Sequence, residues 1–249
     1  MNTCIREVFT CFFIVNSILF LSCGASHKMI DDIIFVDENF SYNNLKKNGL
    51  IVGGMCSDVI EVSREERLEY SSTFSNVLIG KLKDVSMIQI TNPMQLIDKM
   101  GQAAYFNMME DYDHQKALSR LWADTLGVTL PNVQYILFAY LVNENIVDES
   151  YDRYVESDEG EELETEYKKT YFITVEFHLY DLFRKEMVWE NSIFNKAHRS
   201  ESRTTQTGCF ESCMDNLFQS LLFGEPAEIS REEVFVKIVE KFAEDIAKS

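Results

Sequence analysis

The spacing of apolar residues along the first half of the chain predicts helices that alternate with strands. Leu50–Met55 is a compact apolar run, which is typical of a core strand. Ser63 and Glu66 form a capping-box pattern, and the apolar spacing behind it predicts a helix over residues 64–83. Four elements should follow: a short strand at Val85–Ile90, a helix opened by Asn92-Pro93, a helix over Asp113–Leu126 ended by Gly127, and a central strand over Val133–Val142.

The second half of the chain predicts a hairpin and two more helices. These elements are an alternating strand over Lys169–Tyr180, a turn at Asp181–Glu186, a strand over Met187–Ile193, a helix around Phe210–Phe223 and an amphipathic helix after the capping-box pattern at Ser230. Alternation along the hairpin buries one of its faces, because successive side chains of a strand point to opposite sides. Trp189 is assigned to the buried face.

Acidic side chains interrupt this pattern over residues 143–167. Eleven acidic residues lie between Asn143 and Glu166, and Arg153 is the only basic residue among them. Low hydrophobicity and repulsion between like charges leave such a segment little surface to bury, so a solvated hairpin loop is predicted. The order of ligands found in an EF-hand is absent, which disfavours a calcium site.

The order of the elements predicts an α/β fold. With 249 residues, 46% of them apolar, the chain can bury a sizeable core. We expect a mixed central sheet flanked by helices, in the manner of an α+β sandwich, formed by a single domain over residues 49–249. Residues 23–48 are predicted to form a tether and a short lead-in element.

The charge balance excludes one class of partner. The chain has 23 basic and 41 acidic residues, which gives a formal net charge of −18. An acidic surface repels phosphate backbones, so nucleic acid is not an expected partner. An anionic membrane surface would not attract the folded body either. Association with a membrane would therefore need a covalent or strongly hydrophobic anchor.

The N-terminal residues supply a candidate anchor. Val8–Leu21 is an apolar stretch that, as a helix, would span about 21 Å, which is short of the roughly 30 Å hydrocarbon core and typical of a signal peptide. It leads into Phe20-Leu21-Ser22-Cys23, which resembles a bacterial lipobox, the motif whose cysteine is acylated. Residues 1–22 are thus predicted to be a cleaved lipoprotein signal peptide, and Cys23 is predicted to carry palmitate or a similar lipid. A plain secretory signal and an uncleaved anchor are the alternatives.

No motif in the sequence indicates catalysis or a cofactor. The chain lacks Gly-x-Ser-x-Gly, His-Glu-x-x-His and a complete nucleotide-binding loop. Its four histidines are scattered, none has a second histidine or a cysteine at metal-ligand spacing, and His178 is interpreted as a surface or partly packed residue. We therefore expect no metal, no small-molecule cofactor and no enzymatic activity.

Three cysteines follow Cys23 in the sequence. Cys209 and Cys213 lie four residues apart in a predicted helix, where their Cα atoms would be about 6 Å from each other and within reach of a disulfide. In an oxidising periplasm they are a candidate disulfide, and two free buried thiols are the alternative. Cys56 is left without a partner by this pairing.

Two motifs resemble those of a known family. Leu126-Gly127 ends a helix that leads into the strand Tyr135–Leu141, and Leu179-Tyr180-Asp181 is followed across a turn by Val188-Trp189. Through these two motifs, residues 49–195 resemble the α/β domain of a group of bacterial envelope lipoproteins. The group comprises the curli-secretion (CsgG), penicillin-binding-protein activator (LpoB) and TolB N-terminal types. The resemblance implies a periplasmic scaffold or adaptor domain. No segment resembles pore-forming strands, so channel activity is not implied.

These patterns together predict a lipid-anchored protein of the bacterial outer membrane that faces the periplasm or the cell surface. Its expected role is that of a non-catalytic adaptor or scaffold that binds another envelope protein. Two alternatives remain. One is a surface-exposed lipoprotein that binds host or environmental ligands, and the other is a hydrolase without a recognisable motif.

Replacement of Cys23 tests the predicted anchor. Cys23→Ala removes the thiol that would be acylated, so the chain should stay unprocessed or become soluble. Metabolic labelling with a palmitate analogue, combined with separation of membrane and soluble fractions, measures both outcomes. Label retained in the Cys23→Ala chain would contradict the assignment.

Overall fold

The computed structural model describes residues 26–57, 59, 63–157, 160–206 and 229–249. Six helices and six strands lie in this part of the chain. The helices are α1 Tyr42–Asn48, α2 Arg64–Lys81, α3 Pro93–Met100, α4 Gln102–Gln115, α5 Arg120–Thr129 and α6 Arg231–Ile246. The strands are β1 Ser26–Val36, β2 Leu50–Ser57, β3 Ile90–Thr91, β4 Tyr135–Ser157, β5 Gly160–Asp181 and β6 Glu186–Gln206. The helix predicted around Phe210–Phe223 lies outside the described residues.

A mixed sheet contains the six strands in the order β1-β6-β5-β4-β2-β3. Strand β2 runs parallel to both of its neighbours, with Leu50 opposite Ile90 of β3 and Tyr135 of β4. A turn over residues 182–185 joins β5 to β6, and Asp181 stabilises it by accepting the backbone N–H groups of Phe183 and Arg184 at 2.8 and 3.1 Å. The predicted fold class, a mixed sheet flanked by helices, is confirmed.

The chain divides into two compact units. The larger, which we call the main unit, comprises Lys28–Ile146, Tyr171–Lys196 and Ser230–Ser249. The smaller, the arm unit, contains Val147–Thr170 together with the described parts of Met1–His27 and Ala197–Ile229. The end of β4 and the start of β5 thus belong to the arm unit, and the rest of both strands belongs to the main unit. All the contacts described below lie within one unit or the other.

Paired glycines allow β2 to pack closely in the core of the main unit. A Cβ atom at Gly53 would lie 2.5 Å from the ring of Phe138 on the neighbouring strand. Gly54 has a φ of +147°, and a Cβ there would lie 2.7 Å from the hydroxyl oxygen of Ser71 on α2. Side chains are excluded at both positions. The glycine pair therefore serves close packing, and a β-bulge lies at the same place.

Helices cover both faces of the sheet in the main unit. On one face, Tyr112 of α4 stacks on Phe138 with the ring centroids 4.0 Å apart. On the other face, Phe242 of α6 stacks on Phe177 at 4.2 Å and meets the edge of Trp189 at 5.2 Å. Trp189 is fully buried, which confirms its predicted orientation.

The predicted helix starts are confirmed at three caps. Ser63 and Glu66 form the full capping box at the start of α2, and Asn92 forms another with Gln95 at the start of α3. Ser230 accepts the backbone N–H of Glu233 at 3.0 Å and so caps α6. Each cap satisfies backbone donors that the first helical turn leaves without a partner.

Two predicted elements between residues 85 and 126 are wrong. The helix predicted over Asp113–Leu126 is the end of α4 and the start of α5, because Lys116 adopts a left-handed φ of 51° and Ser119 caps a new helix. The strand predicted over Val85–Ile90 begins instead with a 3₁₀ turn at Val85–Met87. A left-handed lysine has no signature in the sequence, since glycine or asparagine usually occupies that conformation.

The acidic segment is also different from its prediction. Residues 143–167 are paired strand, apart from Asp158 and Glu159, which lie outside the described residues. Strand pairing provides hydrogen-bond partners for the backbone N–H and C=O groups whatever the charge of the side chains. Basic residues on the paired strands also offset some of the negative charge. Arg153 lies 2.7 Å from Glu164, and Lys168 and Lys169 lie 3.9 Å from Glu149 and Asp148. The predicted loop is wrong because two of these three basic residues, Lys168 and Lys169, lie beyond the segment whose charge was counted.

The predicted tether is likewise part of the sheet. Residues 26–36 form β1 at one edge of the sheet, and α1 is the lead-in element. The N–H of Asp37 donates to the carbonyl of Val188 at 2.9 Å. The carboxylate of Asp31 forms an ion pair with the ammonium group of Lys241 of α6 at 2.8 Å. These long-range contacts explain why a stretch with two adjacent aspartates joins the fold.

Two asparagines of β6 are buried on the face that packs against α6. Asn195 donates through its side-chain amide to the carbonyl of Val234 at 3.3 Å. Asn191 is also fully buried, yet neither polar atom of its side chain has a hydrogen-bond partner among the residues that the structure describes. A buried polar group without a partner costs about 1–3 kcal/mol of stability.

Replacing these two asparagines should therefore have opposite effects. We expect Asn191→Leu to raise the free energy of unfolding by about 1–2 kcal/mol, because an apolar group of similar size replaces an unpaired amide. Asn195→Leu should lower it by about 1 kcal/mol, because a made hydrogen bond is lost. Denaturant unfolding followed by the fluorescence of Trp189 measures both changes. A loss of stability in Asn191→Leu would show that its amide has a partner.

Candidate functional site

A cavity of about 370 Å³ opens between α2 and α6, above β2 and β5. Its volume is in the usual range of sites that bind small molecules or side chains. Helices and strands from both halves of the sequence contribute to its walls. The lining residues are Met55, Glu69, Tyr70, Thr73, Ile173, Arg231, Glu232 and Phe235.

The two helices run in the same direction and are in contact on one side of the cavity. Phe74 of α2 meets the edge of Phe235 of α6, with the ring centroids 6.2 Å apart. Farther along both helices, Lys81 forms an ion pair with Glu240. The cavity lies at the other end of this contact, where Thr73 presents a small side chain to the space between the helices.

The floor of the cavity is apolar and its rim is polar. Met55, Ile173 and Phe235 are 8%, 1% and 7% exposed, so each belongs to the core and shows only a small surface to the cavity. Glu69 and Glu232 are exposed at the rim. Such a site can hold an apolar group while the rim contacts polar groups next to it.

Arg231 contributes a positive charge that forms an ion pair within the protein. Its guanidinium lies 2.9 Å from the carboxylate of Glu144 and donates to the hydroxyl of Tyr70 at 3.2 Å. The same guanidinium lies 5.0 Å from the centre of the Tyr70 ring, which is cation–π distance. Glu144 also accepts the hydroxyl of Tyr171. Burial raises the pKa of Glu144, and the charge of Arg231 opposes that rise.

A second polar cluster lies beside the buried thiol of Cys56. Arg67 of α2 lies 2.7 Å from the carboxylate of Asp113 and 3.7 Å from the sulfur of Cys56. The thiol donates to the carbonyl of Met109 at 3.8 Å. Burial raises the pKa of Cys56 to about 12, so the thiol stays protonated and is a poor nucleophile.

A third polar cluster surrounds His178, which the structure buries although the sequence suggested a surface or partly packed residue. The Nδ1 atom lies 2.5 Å from the hydroxyl of Tyr112, and Nε2 lies 3.7 Å from Glu190 and 3.8 Å from Glu176. Burial lowers the pKa of His178 to about 4, with Lys116 acting in the same direction. Burial thus outweighs the two carboxylates, and the imidazole is neutral at neutral pH.

The structure does not describe all of the residues singled out from the sequence. Cys23, Cys209 and Cys213 lie outside the described residues, so the lipidation site and the candidate disulfide stay predictions. Among the residues that the structure describes, no group of three or more histidine, cysteine or acidic side chains could hold a metal ion. Over the same residues, no helix has both the length and the apolar character of a membrane span.

Sequence reasoning did not find the cavity, although it recognised Ser230-Arg231-Glu232-Glu233 as the start of a helix. One local signal was available. A cation in the first turn of a helix is disfavoured by the positive end of the helix dipole, so Arg231 needed a compensating partner. The identity of that partner, Glu144, comes from a distant strand and has no local signature.

Comparison with known proteins gives remote similarities in fold. Neither a protein-family model nor a curated protein matches the chain. Lipoprotein GNA1162 from Neisseria meningitidis is 10% identical over 69% of this chain and 95% of that chain, with a TM-score of 0.34. The LpoB C-terminal domain from Salmonella enterica is 13% identical over 69% of this chain and 88% of that chain, with a TM-score of 0.32. Hypothetical protein CT253 from Chlamydia trachomatis is 10% identical over 82% of this chain and 99% of that chain, with a TM-score of 0.40.

Bacterial lipoproteins, LpoB among them, are thus among the solved structures to which this chain is similar. Similarity at this level transfers no residue role, activity or partner to the chain.

The low pKa of His178 predicts a specific loss of stability in mild acid. The unfolded chain protonates this histidine below about pH 6.5, while the folded protein resists protonation down to a pKa of about 4, so the stabilising contribution is lost as pH falls between these values. We expect His178→Gln to reduce the fall in unfolding free energy between pH 7 and about pH 5 by about 2 kcal/mol.

Denaturant titrations at the two pH values measure this difference. The matched control is His114→Gln, which replaces an exposed imidazole near the end of the helix that carries Tyr112. An equal pH dependence in the wild type and in His178→Gln would contradict the assignment of a neutral buried imidazole.

Proposed function

We propose that this protein is an envelope lipoprotein, held in the outer membrane by lipid on Cys23, that binds another envelope protein without catalysing a reaction. The observation that carries the proposal is the apolar stretch Val8–Leu21. Its last two residues are the first two of the lipobox-like Phe20-Leu21-Ser22-Cys23. Two or more acyl chains on one cysteine give stable anchoring, since each buried methylene contributes about 0.8 kcal/mol.

The sheet would lie close to the lipid. Strand β1 begins at Ser26, three residues after Cys23, and three residues reach at most about 10 Å. Apolar side chains are exposed along this strand, Ile30 and Ile34 among them. Near a bilayer these side chains would meet the interface instead of open water. The acidic body would need no affinity of its own for lipid headgroups.

The polar groups of the main unit support a binding role over a catalytic one. The described lining of the cavity includes neither histidine nor cysteine. The thiol of Cys56 and the imidazole of His178 are buried elsewhere, and burial keeps the thiol protonated and the imidazole neutral. The cavity itself combines an apolar floor with a charged rim, as protein-binding pockets for an anchoring side chain do.

Photo-crosslinking in native cells tests the proposal. A benzoylphenylalanine placed at residue 69, on the rim, should form a covalent adduct with one envelope protein, and the adduct should be found in the membrane fraction. The same probe at Glu244, an exposed residue near the other end of α6, is the control and should give no such adduct. Cys23→Ala combined with the rim probe should remove the adduct from the membrane fraction.

Two results would contradict the proposal. One is a mature chain that is released without lipid. The other is a rim probe that reacts with no protein, or with the same proteins as the probe at Glu244. Brief protease treatment of intact cells then distinguishes a periplasmic chain from a surface-exposed one, because only the latter would be cut.

A further inference from the structure

We propose that the cavity between α2 and α6 takes a large apolar side chain from the partner protein, presented by a segment that carries basic residues on both sides of it. This inference rests on the proposed binding function and deepens it, because it names the chemistry of the partner segment.

The floor selects an apolar group. Met55, Ile173 and Phe235 come from β2, β5 and α6 and close the bottom of a space of about 370 Å³. That space is larger than a single aromatic side chain. An apolar occupant would remove its own surface and that of the floor from water, which is the main favourable term in association. Buried aromatic anchors of this kind dominate the binding energy of many interfaces.

The rim selects positive charge next to the anchor. Glu69 and Glu232 are exposed on the two helices that flank the opening. Arg231 does not offset them, because it forms its ion pair with Glu144 at 2.9 Å and a hydrogen bond with Tyr70. The rim thus keeps the negative charge of both exposed glutamates. Lysine or arginine residues beside the anchor would meet one carboxylate on each side.

The same charges argue against other occupants. An anionic ligand would need a free cation, and Arg231, the only cation in the described lining, is already bound. A second copy of the chain would bring another formal net charge of −18 against the rim. A basic partner segment, in contrast, would be steered toward the acidic chain over a distance of several ångströms, and this steering would weaken with salt.

Binding of designed peptides to the purified lipidated chain, in a non-ionic detergent, tests the inference. The probe is a short fluorescein-labelled peptide with a central tryptophan between pairs of lysines. One matched peptide has alanine in place of the tryptophan, and another has glutamates in place of the lysines. Fluorescence anisotropy should show binding of the first peptide about tenfold tighter than that of either matched peptide, which corresponds to about 1.4 kcal/mol.

Substitutions in the protein locate the binding. Glu69→Lys and Glu232→Lys should each weaken binding of the lysine-flanked peptide, and together they should favour the glutamate-flanked one. Glu244→Lys is the matched control, since it makes the same change of charge on an exposed residue of α6 outside the lining. Thr73→Phe should occupy part of the cavity and reduce the preference for tryptophan, whereas Asn76→Phe, on the exposed part of α2, should not.

Three results would overturn the inference. The first is equal binding of the tryptophan and alanine peptides, which would mean non-specific attraction to an acidic protein. The second is an effect of Glu244→Lys as large as that of Glu232→Lys. The third is self-association, measured by sedimentation and abolished by Thr73→Phe, which would make a second copy the occupant. If Thr73→Phe fails to fold, the rim variants still decide the question.

These failures can be told apart from failure of the proposed function. The peptide experiment uses purified protein and does not depend on which envelope protein is bound. If the peptides fail while the probe at residue 69 still forms an adduct in cells, the adaptor role stands and the chemistry of the partner segment is wrong. If the adduct fails as well, the proposed function falls with it.

Discussion

The C-terminal half of α6 is fixed on the sheet by the aromatic packing of Phe242. Phe242 stacks on Phe177 of β5 and meets the edge of Trp189 of β6, and the three side chains are fully buried. The indole N–H of Trp189 also donates to the hydroxyl of Ser249 at 3.2 Å. Because a helix is rigid, this packing also sets the position of Arg231, about 16 Å away along the axis. The rim of the cavity is therefore held both by the direct contacts of Arg231 with Glu144 and Tyr70 and by packing three turns away.

The opposite wall is held by a different set of contacts. Ser71 accepts the backbone N–H of Met55 at 3.0 Å and donates to the carbonyl of Arg67 at 2.7 Å, which joins α2 to β2. The absence of a side chain at Gly54 is what allows this approach. Both helices are thus anchored to the sheet separately. At the cavity the two helices meet through the polar contact of Arg231 with Tyr70, and their aromatic packing begins one turn farther on, at Phe74 and Phe235.

The acidic side chains of this protein lie in three kinds of environment. In the arm unit it is carried by paired strands and partly offset by Arg153, Lys168 and Lys169. Inside the main unit it is paired with arginine, as in Arg67 with Asp113. At the rim of the cavity the exposed glutamates are left facing solvent. The last arrangement carries the proposed preference for a basic partner segment, because the two glutamates lie next to an apolar surface.

Local patterns in the sequence predicted most of the elements of the main unit. The capping box at Ser63 and the alternation that buries Trp189 are both confirmed, because each depends on residues only a few positions apart. The break between α4 and α5 was missed, since Lys116 adopts a left-handed conformation that no local pattern requires. The strands over residues 143–167 were missed because charge was counted along the chain, whereas pairing brings opposite charges together across it.

The sequence by itself determined the helix caps, the alternating strands, the acidic character and the lipobox-like N-terminus, all of which are properties of neighbouring residues. The existence of the cavity, its lining and the charge at its rim follow only from the tertiary structure. Met55, Tyr70, Ile173 and Arg231 lie far apart in the sequence and meet only when β2 and β5 are covered by α2 and α6. The pairing of Arg231 with Glu144 likewise depends on that meeting. The shape and charge of the cavity thus come from contacts between residues that are distant in the sequence. Such contacts leave no local pattern from which they could be predicted.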